Sequence, residues 1–401
     1  MNIFASCIHV TFFSDKMNIK NSLRAAAICC FLICLTTGCG NNSGTSEYGF
    51  KRLYPNASDI DFDDFEIVEL SKYVPMAGIE KIKVEDSLIF ISSNHSLYSF
   101  NMDGSLNATY GMRGRASNEY LYLGAFYIDT NARQVCIIDD TQGKFLYFGY
   151  DGTFIRKVEL DALKNSINHL YDVRVMADGR LFAHNMVYND NGLLFSIIDL
   201  EEGTITDLKT VPFSTNNTGE PCGEHLTNMF NDSLYYVLPF DPTIYVLDND
   251  KETALRKIPG VDDIPSEREL KNITDYDFFK AYNMFNEGRF VGFTGLYETE
   301  SFILLNILEN WNYYIIDKNT GKQKRYSYSG IDVQNTLPII RIKTAYQDWF
   351  IGVVEPMSLM QSFEDMPQKT QDPNLNKLID LAGRTNIESN PCLLFYKIKS
   401  I

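Results

Sequence analysis

Tryptophan is nearly absent from this chain, at 2 of 401 residues, and histidine is scarce at 5. No G-x-S-x-G, H-E-x-x-H, G-x-x-x-x-G-K-[ST] or G-x-G-x-x-G occurs. The signatures of elbow-nucleophile hydrolases, zinc proteases, P-loop enzymes and dinucleotide binders are therefore missing. Cys222 and His225 make one C-x-x-H pair with no second pair, so neither a metal nor any cofactor is expected. Positive charge is also short: 36 Lys+Arg stand against 52 Asp+Glu, a net charge of −16. Such an excess opposes nucleic acid and anionic headgroups, because both would set negative surface against phosphate. The one long apolar run, Ala25–Leu35, is too short to span a bilayer.

That run sits where a leader would. Lys20 and Arg24 supply a positive n-region, and Thr37-Gly38 offers the small side chains a signal peptidase requires. Met17 begins this leader more naturally than Met1, so residues 1–38 are expected to be a signal peptide with its true start at Met17. The cysteine that follows resembles a bacterial lipobox, with Leu35 one position further upstream than the usual leucine. The resemblance implies lipidation of Cys39; the alternative is an ordinary secretory signal followed by a chance cysteine. Residues 39–60 then form a tether, flexible by its Gly, Asn and Ser content. Membrane contact is expected through lipid alone. Without an acidic run just after the cysteine, the periplasmic side of an outer membrane is favoured over the cell surface. The remaining Cys136, Cys222 and Cys392 are too few for a disulfide framework, and Cys136 and Cys392 lie in apolar runs as small core residues.

What is plentiful is Tyr and Phe, 24 and 27, in short alternating runs that favour β-structure. Tyr120–Leu160 shows a unit: YLYLGAFYID, RQVCIID, GKFLYFGY, Asp151-Gly152, TFIRKVEL. Asp-Gly between alternating runs is a strong hairpin signal. The layout recurs about every forty residues, the length of a four-stranded propeller blade. Five units are complete, and the sixth, ending in CLLFYKIK, lacks a strand. The run Phe62–Leu70 stands alone before the first unit and can supply it, closing a ring and removing its last free edge. The expected fold is thus all-β: a six-bladed β-propeller over residues 61–401. Its N-terminal strand closes the last blade, and two helical insertions share one face. Two β-sandwiches are the competing reading.

Gly111, Gly114, Glu119 and Tyr120 in GMRGRASNEYL, with the strand progression after them, resemble the NHL/TolB-like six-bladed propellers, nearest to propeller lipoproteins of Bacteroidetes. The ending NPCLLFYKIK fits that resemblance, which implies the fold and assigns no activity.

Labelling strands a to d from the centre outward, the Asp-Gly and Thr-Gly turns are all c–d or a–b and share one face. The long excursions Asp262–Gly288 and Glu355–Asn390 fall on the other. Ser266 and Glu269 read as a capping box, with Phe278, Tyr282 and Phe285 at helical spacing after it. Asp372-Pro373 reads as a cap before a helix carrying Leu375, Leu378, Ile379 and Ala382, with Gly383 as its C-cap. His95, His169, His184 and His225 map to connections on the same face, as a metal or acid/base cluster over the central channel or as four unrelated surface or junction residues. Arg113, Arg115 and Glu119 belong there too. The arginines could clamp an oxyanion, or one could pair with Glu119 to brace the turn. The expected function is a binding or scaffolding module for an envelope protein, peptide or glycan. The alternative is a hydrolase or lyase at the channel mouth. No catalytic residue is assigned.

Overall fold

The computed structural model describes residues 61–164, 169–185, 192–211, 225–231, 233–248, 251–258, 261, 263–272, 283–284, 287–307, 312–327, 342–363 and 373–401. The leader, Cys39, the tether, Cys222, Phe278, Tyr282, Phe285 and Asp372 lie outside them. Contacts divide the chain into Met1–Glu47 and Tyr48–Ile401, and every described residue belongs to the second unit.

Turn chemistry cuts the apolar runs into strands. Asp86 and Ser87 adopt φ of 50° and 61°, and Asn94 and His95 adopt 51° and 58°. Both are two-residue turns whose left-handed dihedrals match the twist of a hairpin. The first blade is β2 (Lys81–Glu85), β3 (Leu88–Ser93), β4 (Ser96–Asn101) and β5 (Leu106–Tyr110). The second is β6 (Ala125–Asp129), β7 (Gln134–Asp139), β8 (Lys144–Gly149) and β9 (Phe154–Glu159). The third runs β10 (Leu170–Val175), β11 (Leu181–Asn185), β12 (Leu193–Asp199) and β13 (Thr204–Thr210). The fourth runs β14 (Thr227–Phe230), β15 (Ser233–Val237), β16 (Thr243–Asp248) and β17 (Lys251–Lys257). The fifth runs β18 (Gly295–Glu298), β19 (Phe302–Ile307), β20 (Asn312–Asp317) and β21 (Gln323–Ser327). The last sheet is ordered β1 (Asp61–Glu69), β24 (Cys392–Ser400), β23 (Trp349–Val354), β22 (Ile342–Tyr346).

The orphan strand therefore supplies the missing edge, as expected. β1 pairs antiparallel with β24, setting Phe65 opposite Tyr396 and Glu69 opposite Cys392. Each hydrophobic cluster is a seam between blades. Ile82, Ile89, Ile91, Ile351, Leu393 and Phe395 pack together and join the sixth blade to the first, closing the ring. Middle strands are apolar on both sides because both faces meet a neighbouring blade: Val135, Cys136, Ile137 and Ile138 are all fully buried. Outer strands such as β17 are mostly exposed. Gly104 shows how tightly the c–d hairpins fit. Its φ is +81°, and a Cβ there would overlap the Glu69 carbonyl of the clasp strand.

Among the described residues there are four helices: α1 (Asp161–Lys164), α2 (Glu267–Lys271), α3 (Pro356–Phe363) and α4 (Pro373–Ala382). The Ser266–Glu269 capping box is present on α2. In α4, Leu378 and Leu381 are the buried pair, and Gly383 N–H closes the end on the Ile379 carbonyl at 3.0 Å. Leu381 and the whole of α3 had no sequence signal strong enough to place them. The insertion braces the clasp: Lys377 Nζ donates to the Phe65 carbonyl at 3.0 Å, and Arg384 pairs with Glu69. Among the described residues no helix is long and apolar enough to cross a membrane.

Candidate functional site: the channel and its loop-rich rim

In a four-stranded antiparallel blade, a–b and c–d turns fall at one end and b–c and d–a connections at the other. Gly104, Gly152, Gly179 and Gly321, all at positive φ, lie in turns of the first face. The second face carries residues 70–80, 111–124, 160–164 and 169, and the described residues around α2 and around α3 and α4.

Between the faces runs the inner edge of the sheets. Innermost strands are sheet edges, so carbonyls directed at the channel lack a strand partner and need another donor. β2 meets that need with alternating cations. Lys83 Nζ donates to the Phe126 carbonyl at 2.9 Å and the Val173 carbonyl at 2.8 Å. Lys81 Nζ repeats the pattern one step along, donating to Gly124 at 3.2 Å and to Tyr171. The two lysines are rungs joining three blades. Lys83 is also 2.7 Å from Asp172, which lies 2.9 Å from Arg174 Nε and accepts from Thr227 Oγ1 at 3.3 Å. Burial raises the Asp172 carboxyl, but Arg174 and then Lys83 outweigh it, leaving it well below the ordinary carboxylate range. Burial lowers Lys83 to about 8 against the pull of Asp172. Glu85, next in the alternation, is raised by burial. Across the ring, β14 and β18 meet directly: the Leu296 N–H donates to the His225 carbonyl at 2.7 Å.

At the rim, two adjacent acids organise the loops. Asp139 Oδ2 accepts from the Leu121 N–H at 2.7 Å and from Tyr122 at 3.3 Å. Asp140 Oδ2 accepts from the Leu170 N–H at 2.8 Å and lies 3.3 Å from His169 Nδ1. Burial raises the Asp140 carboxyl. The Tyr122 ring sits between two imidazoles, with centroids 5.9 Å from His95 and 6.0 Å from His169. His184 instead lies inside β11, buried between Tyr171 and Phe195 at 5.3 and 5.4 Å. Burial pushes its pKa down to about 4, so it is neutral at ordinary pH. His225 lies against Tyr297, 5.5 Å between centroids, on the opposite side of the ring. Shared face membership thus brings two histidines to one tyrosine and leaves the other two elsewhere. Among the described residues, no group of three or more His, Cys, Asp or Glu side chains is placed to hold a metal ion.

The 111–121 loop is a short ribbon. Tyr120 N–H donates to the Met112 carbonyl at 3.3 Å, and Gly114 N–H donates to the Tyr120 carbonyl at 2.9 Å. Glu119 braces it, but through the Ala116 N–H at 2.7 Å and not through an arginine. A backbone donor three residues away is reached without ordering a long exposed side chain. Arg113 and Arg115 are exposed, and no ion pair holds either among the described residues. Exposed large apolar side chains share this face. Tyr73, Met112, Leu121, Met357, Met360 and Ile387 all lie in its connections, whereas Ile155 and Leu255 sit on outermost strands.

Sequence reasoning passed over Lys81, Lys83 and Asp172 in the channel and Tyr122, Asp139 and Asp140 at the rim. The signal for the first was present: charge at period two inside KIKVE and DVRV, where an innermost strand would otherwise be apolar.

The fold has relatives among solved structures. A Bacteroides fragilis protein, provisionally named as exported, superposes with a TM-score of 0.67 at 20% identity, covering 84% of this chain and 95% of that one. A DUF4221-family protein of Bacteroides vulgatus gives 0.52 at 8% identity, over 85% of this chain and 98% of that one. At these identities the likeness concerns the propeller alone. No curated protein matches the chain. The family profile described as "Domain of unknown function (DUF4934)" matches residues 55–397.

Proposed function

The chain belongs to the DUF4934 family, and from that premise we propose that it is a lipid-anchored envelope propeller acting as a non-catalytic binding module. Its loop-rich face docks a protein, peptide or glycan. One observation carries this reading: six of the eight exposed large apolar side chains among the described residues gather on that face, beside two arginines with no ion-pair partner among the described residues, while Lys81, Lys83 and Asp172 in the channel bond to one another or to backbone. Apolar patches rimmed by charge on a rigid scaffold are where partners bind. Anchoring rests on Cys39 and the small residues before it, and placement on the periplasmic side of the outer membrane rests on the uncharged start of the tether. The provisional export of the Bacteroides fragilis relative accords with this address.

Two experiments test the proposal. Cys39→Ala should release the protein from the membrane fraction into the soluble envelope fraction; unchanged membrane retention overturns the anchor. The tagged protein, isolated from its own envelope, should carry a stoichiometric partner. That partner should be lost when Met112, Leu121, Met357 and Ile387 are all replaced by Ser. Retention of the partner by this variant overturns the face assignment.

A second reading, a hydrolase or lyase at the channel mouth, is favoured only by the Asp140–His169 pair with its raised carboxyl. It predicts a clean monomer whose turnover of an envelope substrate is abolished by Asp140→Asn.

A further inference from the structure

We propose that the 111–121 loop is the recognition element of this face, and that its partner is a protein segment presenting carboxylates beside apolar side chains. The inference rests on reading the loop-rich face as a binding surface, and it names what that surface selects. On a chain of net charge −16, two exposed arginines one residue apart, with no counter-ion among the described residues, are a local reversal of sign. The loop is built to keep them so. Its sole acid, Glu119, is turned onto the Ala116 N–H, and a Cβ at Gly114 would overlap the Glu119 carboxylate. Glycine at 114 therefore makes the room in which the Glu119 carboxylate is held to the ribbon's own backbone.

The loop is also pre-set. Tyr120 is fully buried, and Asp139 fixes the next two backbone N–H groups. Holding a loop in its bound shape lowers the entropy lost on association. Guanidinium forks match carboxylates in paired geometry and are less strongly hydrated than ammonium groups, so they tolerate an interface. The apolar half decides the class of partner. Met112 is 64% and Leu121 38% exposed, and the Tyr120–Met112 backbone bond brings the two ends of the loop together. Two aliphatic side chains flanking the arginines have contacts to offer a peptide's apolar residues and little to offer a sulfated sugar. Arginine and methionine are themselves enriched at protein interfaces.

The test is selection of random displayed peptides on the full-length protein, with heparin as the anionic-glycan probe. Peptides carrying Asp or Glu next to Leu, Ile, Phe or Met should be enriched. Their affinity should drop about tenfold or more for R113Q/R115Q, a loss of about 1.4 kcal/mol or more. Wild-type binding should weaken as salt rises, and binding to the variant should respond much less. M112S/L121S should also bind more weakly, with both variants keeping the wild-type melting temperature. Absence of enrichment, enrichment without acidic residues, equal binding to R113Q/R115Q, or Arg-dependent binding of heparin alone would each overturn the inference. An envelope partner still captured by R113Q/R115Q but lost from the four-serine variant would refute this inference and leave the binding-module reading standing.

Discussion

Two sets of cations in this molecule are chemically alike and physically opposite. Lys81, Lys83 and Arg174 are enclosed wholly or in part: the lysines are held by carbonyls of neighbouring blades, Lys83 also by Asp172, and Arg174 by Asp172 two residues back on its own strand. Arg113 and Arg115 stand in solvent on the rim, and the nearest acid in their loop is bound elsewhere. The difference lies in where the partner is. An enclosed charge whose partner belongs to the same chain contributes to stability and is poorly placed to bind anything else. An exposed charge without a partner contributes almost nothing to stability and is available for recognition.

The largest effect should come from breaking the enclosed set. Asp172→Ala leaves the buried Lys83 and the half-buried Arg174 without their acid and should destabilise the ring by about 3–5 kcal/mol in urea unfolding. The double variant K83M/D172L should recover much of that loss, because an apolar pair of similar volume avoids the uncompensated charge. If D172A and the double variant unfold alike, the ladder is incidental.

Next comes His184. Its folded pKa of about 4 lies below the 6.5 of the free side chain, so between those values the unfolded chain binds more protons. Stability from this group is present above pH 6.5 and falls as pH drops towards 4, by on the order of 3 kcal/mol. Asp140, Glu85 and Glu298, all raised by burial, act in the opposite direction with pH. The readout is therefore the difference between wild type and His184→Phe: the variant should unfold less steeply on acidification. Parallel pH profiles would contradict the neutral buried assignment.

Smaller still, Glu119→Ala removes one brace of the rim loop and should lower stability by about 1 kcal/mol. The smallest effect belongs to the exposed set. R113Q/R115Q should leave the unfolding midpoint within about 0.5 kcal/mol of wild type. A large loss would mean the arginines have a structural task after all, and the comparison would collapse.

The ring itself was legible because its rules are local. Asp-Gly turns fix c–d hairpins, alternating apolar runs fix strands, and an unpaired run before the first unit has one vacancy to fill. The channel was half legible: its charges stand at period two in KIKVE and DVRV, but the partners they meet do not. Lys81, Lys83 and Glu85 alternate along β2 as they would on any strand with one wet face, and only ring closure carries them against β6 and β10. The histidines show the same limit. Strand order assigns all four to one end of the blades, but which rings meet depends on contacts between blades, which put His95 and His169 on Tyr122 and sent His184 inward. Glu119 was legible as a brace and misassigned in its partner, since local backbone donors outcompete long exposed side chains. Helix α4 announced itself through Pro373 and Gly383, while α3 opens on Pro356 in the same way but has no glycine after Phe363 to mark its end.

On the proposed reading, the loop-rich face binds and the hairpin face does not. A photo-crosslinking residue placed in living cells at Met112, Tyr73 or Ile387 on the loop-rich face, and at the exposed Ala177 or Lys322 on the hairpin face, separates the two. Crosslinks to one common partner are expected from the first three positions and none from the last two. Equal yields from both faces, or crosslinks confined to the hairpin face, would contradict that reading.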